Sequence, residues 1–85
     1  MESLKFGSEG PAVRFLQVLL KGLECNHQNI IPDGKFGQQT ALGVRELQER
    51  FGLPKTGEFW GPEHEKLNEA MGGYVDFHGL VQNPK

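Results

Sequence analysis

The chain has 85 residues, nine Lys and Arg against eleven Asp and Glu, and a net charge of −2. That length bounds it to one domain with one modest core, and the scattered, nearly balanced charges exclude the cationic surface that phosphate backbones or anionic membranes demand. The lone cysteine, Cys25, cannot staple the fold internally, and no run of ~18 apolar residues is present to span a membrane.

Met1-Glu2-Ser3-Leu4 lacks the basic start and apolar stretch of a signal peptide. The expectation is a piece of a longer chain, or export by another route. Leu4-Lys5-Phe6 is a short apolar lead-in. Gly7-Ser8-Glu9-Gly10-Pro11 reads as a helix start, with Ser8 as N-cap, Glu9 against the positive end of the helix dipole and Pro11 in the first turn. Val13, Leu16, Leu20 and Leu23, spaced 3, 4 and 3 apart, predict one buried helical stripe flanked by Phe15 and Leu19, with Gly22 as the stop.

Residues 24–35 carry Asn26, Asn29, Pro32, Asp33 and Gly34 and read as loop, anchored by Ile30-Ile31. Asp33-Gly34 is a turn signal, Asp bonding local backbone and Gly taking positive φ. Phe36 is expected in the core. A second helix is predicted from about Gln38 to Phe51 on Ala41, Val44, Leu47 and Phe51, ended by Gly52 and Pro54. Thr40 lies in its first turn, positioned to bond the preceding turn. A second turn, Lys55 to Glu58, leads through Phe59-Trp60 to a third helix from Pro62 to about Met71. Its expected buried side is Leu67, Ala70 and Met71, with His64 alongside. Tyr74 to Lys85 shows no clean period and is expected to be a tail or linker, leaving residues 1–73 as the domain.

Parts of this pattern repeat. Val13-Arg14-Phe15-Leu16-Gln17 and Val44-Arg45-Glu46-Leu47-Gln48 share Val-Arg-x-Leu-Gln. Asp33-Gly34-Lys35-Phe36 and Thr56-Gly57-Glu58-Phe59 share x-Gly-x-Phe. The implied architecture is all-α: a small three-helix orthogonal bundle with long ordered loops.

The order of these pieces resembles the peptidoglycan-binding domain found beside many bacterial and phage cell-wall hydrolases. The match runs from Leu4, Gly7, Gly10, Val13, Leu16 and Gln17, through Asp33, Gly34, Phe36, Gly37 and Thr40. It continues with Val44, Gln48, Gly52, Leu53, Gly57, Gly61, Pro62 and Leu67. Leu47 stands where the family usually has Phe, and Gly43 where Ala is usual, which costs about 1 kcal/mol of helix propensity. Thr56 replaces Asp in the second turn, one extra residue sits at Phe59-Trp60, and His64 stands where Thr is usual.

The resemblance implies a non-catalytic module that binds bacterial peptidoglycan and targets an attached or partner hydrolase, at the cell wall or outside the cell. The rival readings are an assembly module that keeps the fold without glycan binding, and a helix-turn-helix nucleic-acid binder. The near-neutral charge opposes the latter. Candidate ligand-binding residues are Asp33, Gln38, Trp60 and His64. Trp60, the only Trp, lies in a turn between Phe59 and Gly61, and an exposed indole stacks well on sugar faces. The alternative is that Trp60 caps the core, and Asp33, Gln17 and Gln48 each have a purely structural alternative as turn or loop fasteners. No metal site, cofactor or catalytic pair is expected. The three His and Cys25 show no ligand spacing, and so small a bundle offers little room for a water-limited cleft.

Overall fold

The computed structural model describes residues 3–73 and shows three helices: α1 Pro11–Gly22, α2 Gln38–Phe51 and α3 Pro62–Ala70. Two isolated antiparallel bridges, Leu4 with Phe59 and Glu9 with Lys35, are the β-like pairings among these residues. The fold is therefore all-α, as the periodicity predicts. The expected tail from Tyr74 lies outside the described residues.

Each helix buries its apolar stripe. α1 contributes Val13, Leu16 and Leu20, α2 contributes Val44 and Leu47, and α3 contributes Leu67. The connections add Leu4, Cys25, Ile30, Phe36 and Phe59 to the same cluster. Phe15, Leu19, Leu23, Ala41, Phe51 and Trp60 pack half-buried around it. Each large side chain so buried contributes roughly 1.5–3 kcal/mol before the entropy of ordering is counted.

Several boundaries differ from the sequence reading. The N-cap of α1 is Gly10, not Ser8, and no side chain caps that helix. Ser8 is spent one turn earlier: its hydroxyl accepts from the Lys5 N–H at 3.0 Å, and its own N–H donates to the Lys5 carbonyl at 2.8 Å. Glu9 precedes the helix and pairs with Lys35, so the first turn of α1 holds no acid. Gly22 is the last helical residue rather than the stop. The chain leaves α1 through Glu24, at φ 62°, with Cys25 N–H bonding the Leu20 carbonyl and Glu24 N–H the Lys21 carbonyl. That is the paired-bond ending usually built on glycine. α2 ends the same way on Gly52 at φ 73°, as expected. α3 ends at Ala70, one residue earlier than expected, closed by Gly72 at φ 72°, and Ala70 and Met71 are exposed rather than buried because the chain turns away before they reach the core.

Only half of the Ile30-Ile31 pair anchors its loop. Ile30 is 2% exposed and Ile31 is 72% exposed, as extended backbone sends successive side chains to opposite sides. The loop is held instead by long polar side chains. Lys21 donates to the carbonyls of His27 and Ile30, and Arg50 to that of Leu23. Glu46 accepts from the Asn26 N–H, and the Asn26 amide donates to Gln39. Gly43 makes this close approach possible. A Cβ there would lie 2.7 Å from Ile30 Cδ1 and 3.0 Å from the Cys25 carbonyl oxygen, so a residue that weakens the helix is required by the packing.

The segment 4–10 stitches both turns to the bundle. Leu4 exchanges two backbone hydrogen bonds with Phe59, at 3.0 and 2.8 Å. Further along, Gly7 N–H donates to the Phe36 carbonyl, Phe36 N–H to that of Ser8, and Gly10 N–H to that of Gly34.

Candidate functional site

Gln17 and Gln48, equivalent in the sequence repeat, are equivalent in space, and both are fully buried fasteners. The Gln17 carbonyl oxygen accepts from Gly34 N–H at 2.9 Å, while its amide faces the Lys35 carbonyl at 2.9 Å, Thr40 Oγ1 at 3.0 Å and Asp33 Oδ1 at 3.3 Å. The Gln48 carbonyl oxygen accepts from Gly57 N–H at 3.0 Å, while its amide faces Thr56 Oγ1, the Glu58 carbonyl and Glu63 Oε2, each at 2.9 Å. Each glutamine thus locks one x-Gly-x-Phe turn, whose glycine takes φ 77° at Gly34 and 81° at Gly57. Thr40 serves the first turn by accepting from Gln17.

The extra residue of the second turn explains why Glu63 takes Thr40's part. From Phe36 one residue, Gly37, leads to α2; from Phe59 two residues, Trp60 and Gly61, lead to α3. The third position of α3 is then His64, rotated off the fastener, and the longer Glu63 reaches it from the second position. Glu63 is buried, and its other oxygen accepts from the Trp60 N–H at 3.3 Å. Sequence reasoning missed Glu63. The signal was available: Glu63 lies seven residues after Thr56, as Thr40 lies seven after Asp33.

The displaced residues build a surface feature. The Trp60 and His64 rings stack with centroids 4.8 Å apart and planes 17° from parallel. The indole is half-buried, leaning on the core with one part in solvent. Trp60 walls a cleft of about 380 Å³ with Ser3, Pro54, Thr56, Glu58, Gly61, Pro62 and Glu63. A neighbouring cleft of about 190 Å³ lies across Thr56 and Glu58, lined also by Lys5, Phe6, Ala41, Arg45 and Gly57. A third, polar depression of about 320 Å³ lies by Glu24, Asn26, His27, Gln28, Asn29 and Glu46.

The four candidate residues therefore divide. Trp60 and His64 come together. Only Trp60 lines one of these clefts; Asp33, Gln38 and His64 line none, and the turn at 33–37 does not contribute to the groove at 56–61. Asp33 is exposed, and its carboxylate accepts from the Lys35 N–H at 2.9 Å as well as from Gln17. The Lys35 bond first, with help from Gln17, holds its pKa below the ordinary value against a smaller effect of burial. Gln38 is exposed at the first position of α2.

Burial pushes the Cys25 thiol up, with Arg50 opposing and Glu46 adding to the shift, so the sulfur stays protonated and unreactive. Among the described residues no group of three His, Cys, Asp or Glu is placed to hold a metal ion, and no helix is long and apolar enough to cross a membrane.

The comparisons with known proteins agree with this geometry. The family described as "Putative peptidoglycan binding domain" matches residues 9–59, ending one residue before Trp60. The crystal structure of the SleB N-terminal domain superposes with a TM-score of 0.73 at 32% identity, over 81% of this chain and 92% of that one. No curated protein matches the chain. With both turn fasteners present and most of its length aligned to a solved relative, the chain belongs to the peptidoglycan-binding domain family.

Proposed function

We propose that this chain is a non-catalytic module that binds bacterial peptidoglycan and targets an attached or partner hydrolase to the cell wall. Family membership supports the ligand class. The observation that carries the placement is Trp60, which walls the cleft at the second turn and stacks on His64 behind it. An indole face and neighbouring backbone edges suit the C–H faces and hydroxyls of N-acetylhexosamines. Modest affinity suffices, because tethering raises the local concentration of substrate for the hydrolase.

The setting is the cell wall or the extracellular space of a bacterium, or of one attacked by a phage. Residues 1–73 form the module and 74–85 a tail or linker. Co-sedimentation with purified sacculi tests the reading. The chain should pellet with sacculi while the turbidity of the suspension stays constant. A chain that stays in the supernatant supports the assembly-module alternative, and progressive clearing contradicts a non-catalytic role.

A further inference from the structure

We infer that the second cleft, between the 5–8 turn and the 56–58 turn, is a subsite for a carboxylate of the peptidoglycan stem peptide, with Arg45 and Lys5 as its cations and Phe6 as its apolar wall. The inference rests on the proposed function and adds to it the part of the ligand that is read.

Phe6 is 70% exposed, at the tip of a turn closed by the Ser8–Lys5 bond, with Gly7 at φ 95°. Nothing in that turn needs an aromatic residue, and an exposed ring on a rigid turn costs little entropy on binding. Across the cleft, Gly57 leaves room for the Arg45 guanidinium: a Cβ at that position would lie 3.2 Å from Arg45 Nε. Among the described residues, neither the Arg45 nor the Lys5 side chain makes a hydrogen bond or an ion pair; the ion pair present there joins Lys55 to Glu49. Two uncommitted cations facing one small cleft, in a chain of net charge −2, favour an anion there. Arg offers the two-pronged donor geometry that fits a carboxylate. Glu58 stands on the wall shared with the Trp60 cleft, where it is an acceptor for an amide N–H of the same peptide. A sugar on Trp60 and its peptide arm in the cationic cleft would lie on either side of that wall.

The test is the affinity of the full chain for soluble muropeptides and for the same muropeptides with their carboxyl groups amidated. Wild type should prefer the free acids by about ten-fold, the scale of a hydrogen bond to a charged group, and lose that preference at high salt. Arg45→Gln, which keeps helix propensity, should lose the preference while binding the amidated ligand as wild type does, with an unchanged melting temperature. Lys66→Gln, an exposed lysine of α3 outside both clefts, should keep the preference. Phe6→Ala should weaken both ligands. Equal binding of acid and amide by wild type, or an Arg45→Gln variant that keeps the preference, overturns the subsite and leaves peptidoglycan binding intact. Failure of wild type to bind either ligand overturns both readings.

Discussion

Gln17 and Gln48 illustrate how a single buried side chain can fix a turn. Each accepts from a buried glycine N–H, Gly34 or Gly57, while its amide donates to the carbonyl of the next residue, Lys35 or Glu58. Removing such a partner leaves the desolvation cost of the orphaned group. Gln48→Ala should therefore lower stability by about 2–3 kcal/mol in urea unfolding, well above an ordinary surface change. The structural alternative for both glutamines was readable from their place beside the core stripe; which groups they fasten was not, because those groups lie on other turns and helices, up to 23 residues away at Thr40. Asp33 acts more weakly, from an exposed position. Its folded-state pKa lies below the unfolded one, so its carboxylate stabilises the fold above the ordinary aspartate value of about 4, and that contribution is lost as pH falls through the folded-state value. Asp33→Asn should flatten the acid limb of the stability curve below about pH 4, and an acid limb as steep as that of wild type would show that the carboxylate is not coupled to folding.

At the level of elements, the helices were legible and their ends less so. The 3–4 spacing of Val13, Leu16 and Leu20, and of Val44 and Leu47, is a local signal that tertiary packing reinforces, and all five are buried. The start of α1 was misread because Ser8, a sound N-cap by type, is recruited by its own tight turn with Lys5. The end of α1 was misread because the left-handed position falls on Glu24 while a glycine stands two residues earlier. Glu24→Gly should remove that strain and raise stability by about 0.5–1 kcal/mol, measured as an upward shift in melting temperature. Gly43 is the opposite case. Propensity alone says that Ala would gain about 1 kcal/mol, but the loop at Cys25 and Ile30 lies against it. Gly43→Ala should lower stability by about 1–2 kcal/mol net, since backbone and a buried side chain must shift. A stabilised variant would mean that the loop gives way easily.

For the molecule as a whole, two copies of one device, a glutamine-fastened turn feeding a helix, are laced together by residues 4–10. The first copy is regular: its turn at 33–37 lines none of the clefts described above, while its helix α2 lends Ala41 and Arg45 to the cleft beside Thr56 and Glu58. The second carries one extra residue, and the departure produces the stacked aromatic pair and the groove on either side of Thr56 and Glu58. The sequence pointed to Trp60, at the one extra residue of the second turn, as a candidate platform and named His64 as a separate candidate. It also nominated Asp33 and Gln38, and their separation from the cleft at Trp60 depends on three-dimensional placement that no local pattern encodes. The central claim is that peptidoglycan engages the second turn at Trp60. Trp60 is the only tryptophan, so its emission reports on that site alone. Titration of the folded chain with soluble peptidoglycan fragments should give a saturable shift or quench, and unrelated glucose oligomers at the same concentration should give none. An emission spectrum that stays unchanged while the chain still pellets with sacculi would place the ligand elsewhere and contradict the account.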